Sequence, residues 1–299
     1  MERRIPKLTA FILATFSFLF GGGSYDILHL SKDARSLSLH NAASAYDRFL
    51  LRNNPASLSL TTEKFSYSSL IFPANIHSGE IQRVRKMGSG IRAEKVSYIS
   101  YGTIYDSEAQ KKTTAYDILL EMGYKKELKN IVSIGISGGY LLSSICGYSS
   151  QLLYANIGIR SRMMRKRIGL GFSLENVGFL ITSYTDVKEA IPAIFRSALY
   201  YKPKYLPAII SVDIIRNLDR GIIELFGGLE FNPEKRLTIR LGCTSRRIDF
   251  LTYDFPSDLL AAVSGGAGFK FNKINLDIGF MNLGAAGYII GFSISNKRN

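Results

Sequence analysis

Side chains alternate between apolar and small or polar along most of the sequence after residue 64. In 167–175, apolar residues occupy every second position, and glycine, serine, arginine or glutamate fill the positions between them. The same period of two returns in 237–244, 274–280 and 288–295. Because successive side chains of a strand point to opposite faces, each stretch predicts a β-strand whose two faces meet different surroundings.

The number and length of these segments separate two architectures. About fourteen candidate strands follow residue 64, many near the roughly ten residues that cross a bilayer when tilted. Strands of soluble proteins are typically about five or six residues long. A secreted β-sandwich remains the alternative. The pattern favours an all-β fold, a transmembrane up-and-down antiparallel β-barrel of about 14 strands with apolar residues facing lipid.

The connections between the candidate strands differ in length and charge. Predicted short turns (125–130, 162–166, 202–207, 232–235, 272–273) alternate with mostly longer loops (143–150, 178–192, 248–260). In membrane barrels the short turns face the periplasm. The chain has a net charge of +14, and ten cations fall in the short turns against two acids, namely Lys125, Lys126, Lys129, Arg162, Arg165, Lys166, Lys202, Lys204, Lys235 and Lys273.

This placement of the positive charge argues against nucleic-acid binding, which would need one continuous basic groove rather than scattered turn tips. It predicts a basic periplasmic rim that contacts anionic outer-membrane lipid or an acidic periplasmic partner. Simple solvation of the turns is the alternative.

The N-terminus predicts export. Arg3, Arg4 and Lys7 precede an apolar run, 8–20, which is too short to span a bilayer and is followed by small residues. We therefore expect a cleaved signal peptide over 1–23 and a place in the outer membrane of a Gram-negative-type envelope. Residues 24–63 are too polar for lipid and too apolar for water, which predicts a hatch inside the barrel formed by 64–299.

Charged and amide side chains recur on the non-apolar face of the candidate strands. Two interpretations stay open: a polar channel or gate, and a salt-bridged filling that holds the hatch, which we favour because the hatch must be held. The residues are Asp117, Glu121, Asn156, Arg160, Glu175, Asp213, Arg240 and Asp277.

Several motifs resemble those of the PorV/PorQ family, FadL-like outer-membrane barrels linked to type IX secretion. The stretches 34–39, 42–47 and 54–58 resemble the family's N-terminal pattern, with Asn54, Pro55 and Ala56 as its N-P-A. The motifs at 174–178, 226–231 and 264–269 resemble its strand-end and glycine-rich motifs, and the short chain is more similar to the PorQ branch. His40-Asn41 replace a Gly-Gly pair and Asp47-Arg48 an acidic pair. The hatch motif thus comprises Ala34, Arg35, Asp47, Asn54, Pro55 and Ala56.

The resemblance implies a fourteen-stranded barrel with an internal hatch. It also implies a non-enzymatic role in type IX secretion or in attaching cargo at the cell surface, with secretion or attachment proteins as partners. The alternative is FadL-like transport of hydrophobic small molecules across the outer membrane.

Sequence motifs for catalysis are weak. The G-x-S-x-G at 135–139 requires a downstream histidine, but His29, His40 and His77 all precede it. The three histidines are too scattered for a local metal site, so no enzyme activity and no cofactor are expected. Cys146 in a predicted outer loop and Cys243 in a predicted strand are expected to be unpaired, although a disulfide remains the alternative.

Overall fold

The protein, seen in a computed structural model, is a closed antiparallel barrel of fourteen strands in which β1 pairs with β14 and every other strand pairs with its sequence neighbours. This confirms the predicted fold class. The structure describes residues 25–30, 33–46, 51, 53–60, 63–106, 111–128, 131–186, 189–251 and 260–297. The predicted signal peptide, Asp47 and Lys129 lie outside the described residues.

The strands are β1 (Glu63–Phe72), β2 (Ile76–Met87), β3 (Gly90–Asp106), β4 (Lys111–Leu128), β5 (Val132–Ile145), β6 (Tyr148–Met163), β7 (Ile168–Thr182), β8 (Ile194–Tyr201), β9 (Ala208–Asn217), β10 (Ile223–Glu234), β11 (Leu237–Thr244), β12 (Val263–Phe271), β13 (Ile274–Asn282) and β14 (Tyr288–Lys297). A short helix α1 (Ala34–Ser38) precedes them, and 3₁₀ helices cover Asp26–Leu28, Pro55–Ser57, Pro73–Asn75, Ser245–Phe250 and Gly284–Ala286. Among the described residues, no helix is both long and apolar enough to cross a membrane.

The outer surface of the barrel is a band of exposed apolar side chains. Ile136 and Ile157 are 53% and 58% exposed, and every strand contributes similar residues at alternate positions. A soluble monomer rarely exposes an apolar surface of this extent. Lipid covers such a band in transmembrane barrels, where it contacts the outward residues of each strand.

The two ends of the barrel differ in their connections. The short-turn end carries 88–89, 129–131, 164–167, 202–207, 235–236 and 272–273. The loop end carries 73–75, 107–110, 146–147, 183–193, 218–222, 245–262 and 283–287. The predicted loop 143–150 is wrong: β5 and β6 pair up to Ile145 and Tyr148, and Cys146 and Gly147 close a two-residue turn with positive φ angles.

The predicted turn 125–130 also starts too early. Strand β4 runs to Leu128, because Lys125 and Lys126 continue the ladder opposite Gly135 and Ile134. Lys125 is therefore no rim residue: its side chain points inward, is 2% exposed and pairs with Glu127 at 3.0 Å. Lys126 lies on the outward face of the strand and is exposed.

The prediction of Arg162 as a turn cation is also wrong: it lies in β6, is buried on the inward face and pairs with Glu127 at 2.7 Å. The remaining described rim cations lie in turns of the short-turn end. Arg165, Lys166, Lys204, Lys235 and Lys273 are exposed. Lys202 is half-buried, with its ammonium 4.5 Å from the ring centre of Tyr46. The rim therefore exists in the structure, although Lys202 is partly withdrawn from it.

The barrel interior is divided between an apolar half and a polar half. Toward the loop end, inward side chains form one apolar cluster with residues that precede β1; its members include Tyr25, Ile27, Leu70, Phe72, Ile99, Leu119, Leu141, Leu152, Tyr154, Met281 and Ile289. Toward the short-turn end many inward side chains are serine, asparagine or charged, and the apolar residues form two small clusters with the N-terminal segment, one around Leu51 and one around Tyr200. The largest apolar surroundings for a hydrophobic compound therefore lie in the loop-end half.

Candidate functional site

The described residues of the N-terminal segment (25–30, 33–46, 51 and 53–60) pack against the inward face of the barrel. The Ser264 hydroxyl donates to the Ser38 carbonyl at 3.2 Å on one side of the lumen. On the other side, the Ser133 hydroxyl donates to the Ala56 carbonyl at 2.9 Å. The amide of Leu51 donates to the side-chain oxygen of Gln82 at 2.9 Å. The segment is thus held across the whole lumen.

Inward glycines make room for this segment. A Cβ added at any of nine glycines would approach it to within about 3.1 Å, so at each of them either the added group or the segment would have to shift. They are Gly123, Gly135, Gly158, Gly171, Gly228, Gly242, Gly266, Gly279 and Gly291. The glycines opposite the apolar residues of the strand pattern therefore form the seat of the N-terminal segment.

Two glycines of β5 test this seat. In Gly135→Ala the new methyl group would clash with the backbone of Pro55 and Ala56, whereas in Gly138→Ala it would meet only the Tyr154 carbonyl at an ordinary 3.4 Å. We expect Gly135→Ala to destabilise the seated segment by about 1–3 kcal/mol. Limited proteolysis within residues 25–60 measures this. Equal protection of the two variants would contradict a close-packed seat.

Buried ion pairs link α1 to β10, β11 and β13. Glu230 accepts from Arg35 Nε at 3.0 Å and from Arg240 Nε at 2.8 Å. Arg240 also pairs with Asp277 at 2.5 Å. Burial lowers the pKa of Arg35, whereas the nearby carboxylate of Glu230 raises it. The combined effect raises the pKa of Arg35 above its usual value, so Arg35 stays charged. The four groups form one chain in which Glu230 is central.

A second cluster holds the chain that follows α1. The carboxylate of Asp213 accepts the backbone N–H of Ala43 at 3.0 Å and of Ser44 at 3.1 Å. Arg196 bridges Asp213 at 3.4 Å and Glu175 at 2.8 Å. Because all three side chains are buried away from water, each charge is stabilised mainly by its ion pairs with the others.

The remaining predicted polar residues also point inward. Glu121 pairs with Lys95 at 2.5 Å, and Asp117 accepts from the Tyr101 hydroxyl at 2.8 Å. The Asn156 amide donates to the Ser137 hydroxyl at 2.9 Å. The Arg160 guanidinium donates to the Ser57 carbonyl at 3.5 Å.

The residues of the N-terminal motif contact the barrel directly. The Ala34 amide donates to the Ser293 hydroxyl at 2.9 Å. The Asn54 side chain accepts from the Ala56 amide at 2.9 Å, and its own amide donates to the Ile159 and Phe172 carbonyls. Pro55 begins the 3₁₀ helix that Asn54 caps. These bonds explain the N-P-A sequence as a capped turn fitted between β6 and β7.

A cavity of about 170 Å³ lies between the N-terminal segment and the wall in the loop-end half. Its apolar lining includes Leu30, Phe72, Ile194, Ile215, Ile222, Phe226, Phe250, Met281, Leu283 and Ile289. Its polar lining includes His40, Asn217, Arg220, Glu224 and Arg246. The polar lining also includes His29, Asn41, Arg196 and Thr244, so apolar side chains are only slightly more numerous than polar ones. Pockets that combine apolar walls with polar groups are typical of small-molecule sites. The sequence analysis did not predict it.

Strand pairing in the barrel wall stops early beside this cavity, and we call this interruption of the pairing the split. Strand β8 pairs with β7 only as far as Ile194 opposite Glu175, so no described strand pairs with 176–182 on that side. A bulge of β7 coincides with the split, where Asn176 takes a positive φ and its amide donates to the Asn156 side chain at 2.7 Å. The Asn176 side chain donates across the split to the Pro192 carbonyl at 3.3 Å. Pro192 and Ile194 also line the cavity.

His40 gives the site a dependence on pH. Its ring is 6% exposed and stacks 5.8 Å from Phe226, and burial lowers the pKa of His40 from 6.5 to about 4. Between about pH 6.5 and pH 4, His40 therefore binds a proton in the unfolded chain but not in the folded chain. As pH falls from 6.5 to 4, we expect up to about 3 kcal/mol of stability to be lost.

Comparison with His40→Asn isolates this contribution, because asparagine does not titrate and tolerates the positive φ of this position. Thermal unfolding at several pH values measures it. An equal loss of stability in both proteins would assign the acid sensitivity to other groups.

Other candidate chemistry is not assembled in the structure. Cys146, in the turn between β5 and β6, and Cys243, in β11, do not form a disulfide with each other, and their elements are not neighbours in the barrel. Within the described ranges, no group of histidine, cysteine and acidic side chains could hold a metal ion. Ser137 of the G-x-S-x-G motif binds Glu121 and Asn156, and serves the inward polar layer.

No known protein family and no curated protein matches the sequence. Solved structures do match the fold. The Pseudomonas putida toluene transporter TodX aligns with a TM-score of 0.64 at 12% identity, over 90% of this chain and 98% of that one. The monoaromatic hydrocarbon channel CymD gives 0.60 at 10% identity, with 90% and 98% covered. A Pseudomonas aeruginosa FadL homologue gives 0.52 at 10%, with the same coverage.

These neighbours lend no support to the PorV/PorQ resemblance, which stays a prediction. Each of the three is similar to this chain over 90% of its length. The protein thus has the fold of the FadL-type outer-membrane hydrocarbon channels.

Proposed function

We propose that the protein is a non-enzymatic outer-membrane channel that takes up hydrophobic small molecules. The observation that carries this proposal is the apolar cavity at the loop end, which borders the split between β7 and β8. A compound that leaves water for this cavity would lie next to a way out through the wall into lipid. Such a path never exposes an apolar compound to the charged half of the lumen.

The route runs from the loop end into the cavity and then sideways past Asn176 and Pro192. The N-terminal segment acts as a hatch that closes the short-turn half, because the ion pairs around Glu230 and Asp213 fasten it to the wall. An uncharged hydrocarbon gains nothing by entering this polar half. The hatch therefore forms the floor of the cavity.

The names of the structural neighbours support this proposal over a secretion role. TodX is a toluene transporter and CymD a monoaromatic hydrocarbon channel. The resemblance to the PorV/PorQ family favours type IX secretion or cargo attachment, but the described residues offer no feature that favours a protein cargo over a small molecule. An outer-membrane location and a cleaved signal peptide are part of the proposal.

Reversible blockage of the cavity tests the function. We would replace Cys146 and Cys243 by serine, introduce Ile215→Cys in the cavity lining, and follow the influx of the uncharged probe phenylnaphthylamine into cells that express the protein. A bulky, charged thiol reagent should lower the influx about tenfold because it fills the site. Reduction should restore it.

The matched control is Lys235→Cys in an exposed turn at the opposite end. The same reagent should leave its influx unchanged. If modified Ile215→Cys transports the probe as fast as the unmodified protein, the cavity is not on the path.

A further inference from the structure

The short-turn end carries positive charge that other described residues do not neutralise. Lys126, Arg165, Lys204, Lys235 and Lys273 are exposed, and none forms an ion pair with another described residue. The acids nearby are mostly engaged, since Glu127 is held by Lys125 and Arg162, and Glu94 by Arg85 and Arg92. The positive charge of this rim is therefore available to attract anionic groups outside the protein.

Large apolar side chains accompany these cations at the turn tips. Met164 is 71% exposed beside Arg165, and Tyr205 is 87% exposed beside Lys204. Phe271 is 56% exposed, two residues before Lys273. The Lys204 ammonium lies 5.0 Å from the ring centre of Tyr205. A cation next to an exposed aromatic or methionine side chain is typical of the membrane interface, where the apolar part enters the lipid and the charge stays at the head groups.

Cations at the described part of the loop end are balanced by acids. Arg246 pairs with Glu224 at 3.1 Å and with Asp249 at 2.6 Å, so this cation is neutralised within the protein. Exposed Asp219 lies three residues from exposed Arg216. Exposed apolar side chains accompany cations here too, since Ile248 is 74% exposed beside Arg247. Among the described residues, the two ends therefore differ in charge balance and not in exposed apolar side chains.

We propose that the short-turn end binds the head groups of anionic phospholipids, with Arg165, Lys204, Lys235 and Lys273 facing the phosphates and Met164 and Tyr205 inserted beside them. The four cations lie on the turns after β6, β8, β10 and β12, which are consecutive short turns along one side of the barrel. Cations spaced one to a turn along this arc fit the lipid that borders the barrel better than a single protein partner, which would need a contiguous patch. The proposal concerns the lipid around the barrel and holds whatever compound the barrel transports.

Lipid selectivity in a defined bilayer tests the proposal. The full chain would be reconstituted in phosphatidylcholine vesicles that contain a trace of spin-labelled phosphatidylglycerol or phosphatidylcholine, and electron spin resonance would give the fraction of each label immobilised by the protein. Each cation near an anionic surface contributes roughly fivefold in affinity at low salt. We expect wild type to prefer phosphatidylglycerol by about tenfold or more, and this preference to vanish near 1 M salt, where the Debye length is about 3 Å.

Matched triple reversals locate the preference. The short-turn variant is Arg165→Glu, Lys204→Glu and Lys235→Glu, and the loop-end variant is Lys112→Glu, Arg216→Glu and Arg247→Glu, all at exposed positions. The short-turn variant should immobilise both labels equally, whereas the loop-end variant should keep the wild-type preference. Glutamine substitutions at the same three short-turn positions remove the charge without reversing it and should give an intermediate preference. If the glutamate variant fails to assemble, the glutamine variant is measured in its place.

Equal immobilisation of the two labels by wild type would overturn the proposal and leave an acidic protein as the occupant of the rim. A preference that survives in the short-turn variant would overturn it too, because the charge would then act from elsewhere. Loss of the preference in both triple variants would mean that net charge alone attracts the lipid.

Discussion

Replacing Glu230 by glutamine is expected to destabilise the protein by about 3–5 kcal/mol. Glutamine keeps the shape of the side chain but removes the charge that faces Arg35 at 3.0 Å and Arg240 at 2.8 Å. Arg240 retains Asp277, whereas Arg35 loses the only ion-pair partner that the described residues give it. A buried guanidinium without a carboxylate is costly, so α1 should leave its place before the barrel unfolds.

Two measurements separate these events. Proteolysis within residues 25–60 should become much faster in Glu230→Gln, while the temperature at which the barrel loses its compact mobility on a gel should fall less. Glu94→Gln is the matched control, because Glu94 also contacts two arginines, Arg85 and Arg92, but lies on the outer face with 31% of its side chain exposed. Exposed ion pairs contribute at most about 1 kcal/mol.

If Glu230→Gln and Glu94→Gln accelerate proteolysis and lower the unfolding temperature equally, the inner ion pairs do not stabilise the protein more than exposed ones. Faster proteolysis in neither variant would mean that the glycine seat and the apolar contacts hold the N-terminal segment without help from charge.

The strands and their inward faces could be predicted from the sequence because alternation depends only on local geometry. Once Phe172 and Leu174 are placed outward, Ser173 and Glu175 must point inward, and the structure agrees. The same rule would have found Arg196, between Phe195 and Ser197, which the sequence analysis left out. The alternation of side chains along the strands therefore predicts more inward polar residues than the sequence analysis names.

The alternation of side chains does not predict where a strand ends or which charged residues form ion pairs. Lys125 and Lys126 were assigned to a turn because charge and polarity usually mark turns, yet hydrogen bonding to β5 extends β4 past them. Parity places Glu230 and Arg240 inward but does not show that Arg35, far away in sequence, pairs with Glu230. That contact depends on the path of the N-terminal segment, which no local pattern encodes.

The cavity and the split are still less visible in the sequence. Phe72, Phe226 and Ile289 line the cavity from distant parts of the chain, so only the closed barrel brings them together. A local signal does exist for the split. Asn176 tolerates the positive φ of the bulge, and Pro192 lies just before the start of β8. The sequence analysis interprets Asn176 as part of the motif 174–178 and not as a break in strand pairing.

Removing residues 25–60 is expected to turn the barrel into an open, water-filled pore. The nine inward glycines would then face an empty channel, and the polar half of the lumen would be wetted. A barrel of fourteen strands is wider than one whose lumen its own side chains fill. Ion conductance in a planar bilayer should rise at least about tenfold over that of the full chain. A folded deletion variant that stays silent would show that the wall closes itself.

A locked hatch distinguishes transport through the wall from transport past the hatch. A Cβ at Gly228 would lie 3.1 Å from the Cβ of Ala42, slightly closer than in a disulfide, so Ala42→Cys with Gly228→Cys should cross-link after a small shift. In a background without Cys146 and Cys243, the oxidised protein should block ions and still admit phenylnaphthylamine, because the probe leaves between β7 and β8. If oxidation stops the probe and reduction restores it, the hatch must move, and the split between β7 and β8 is not the exit.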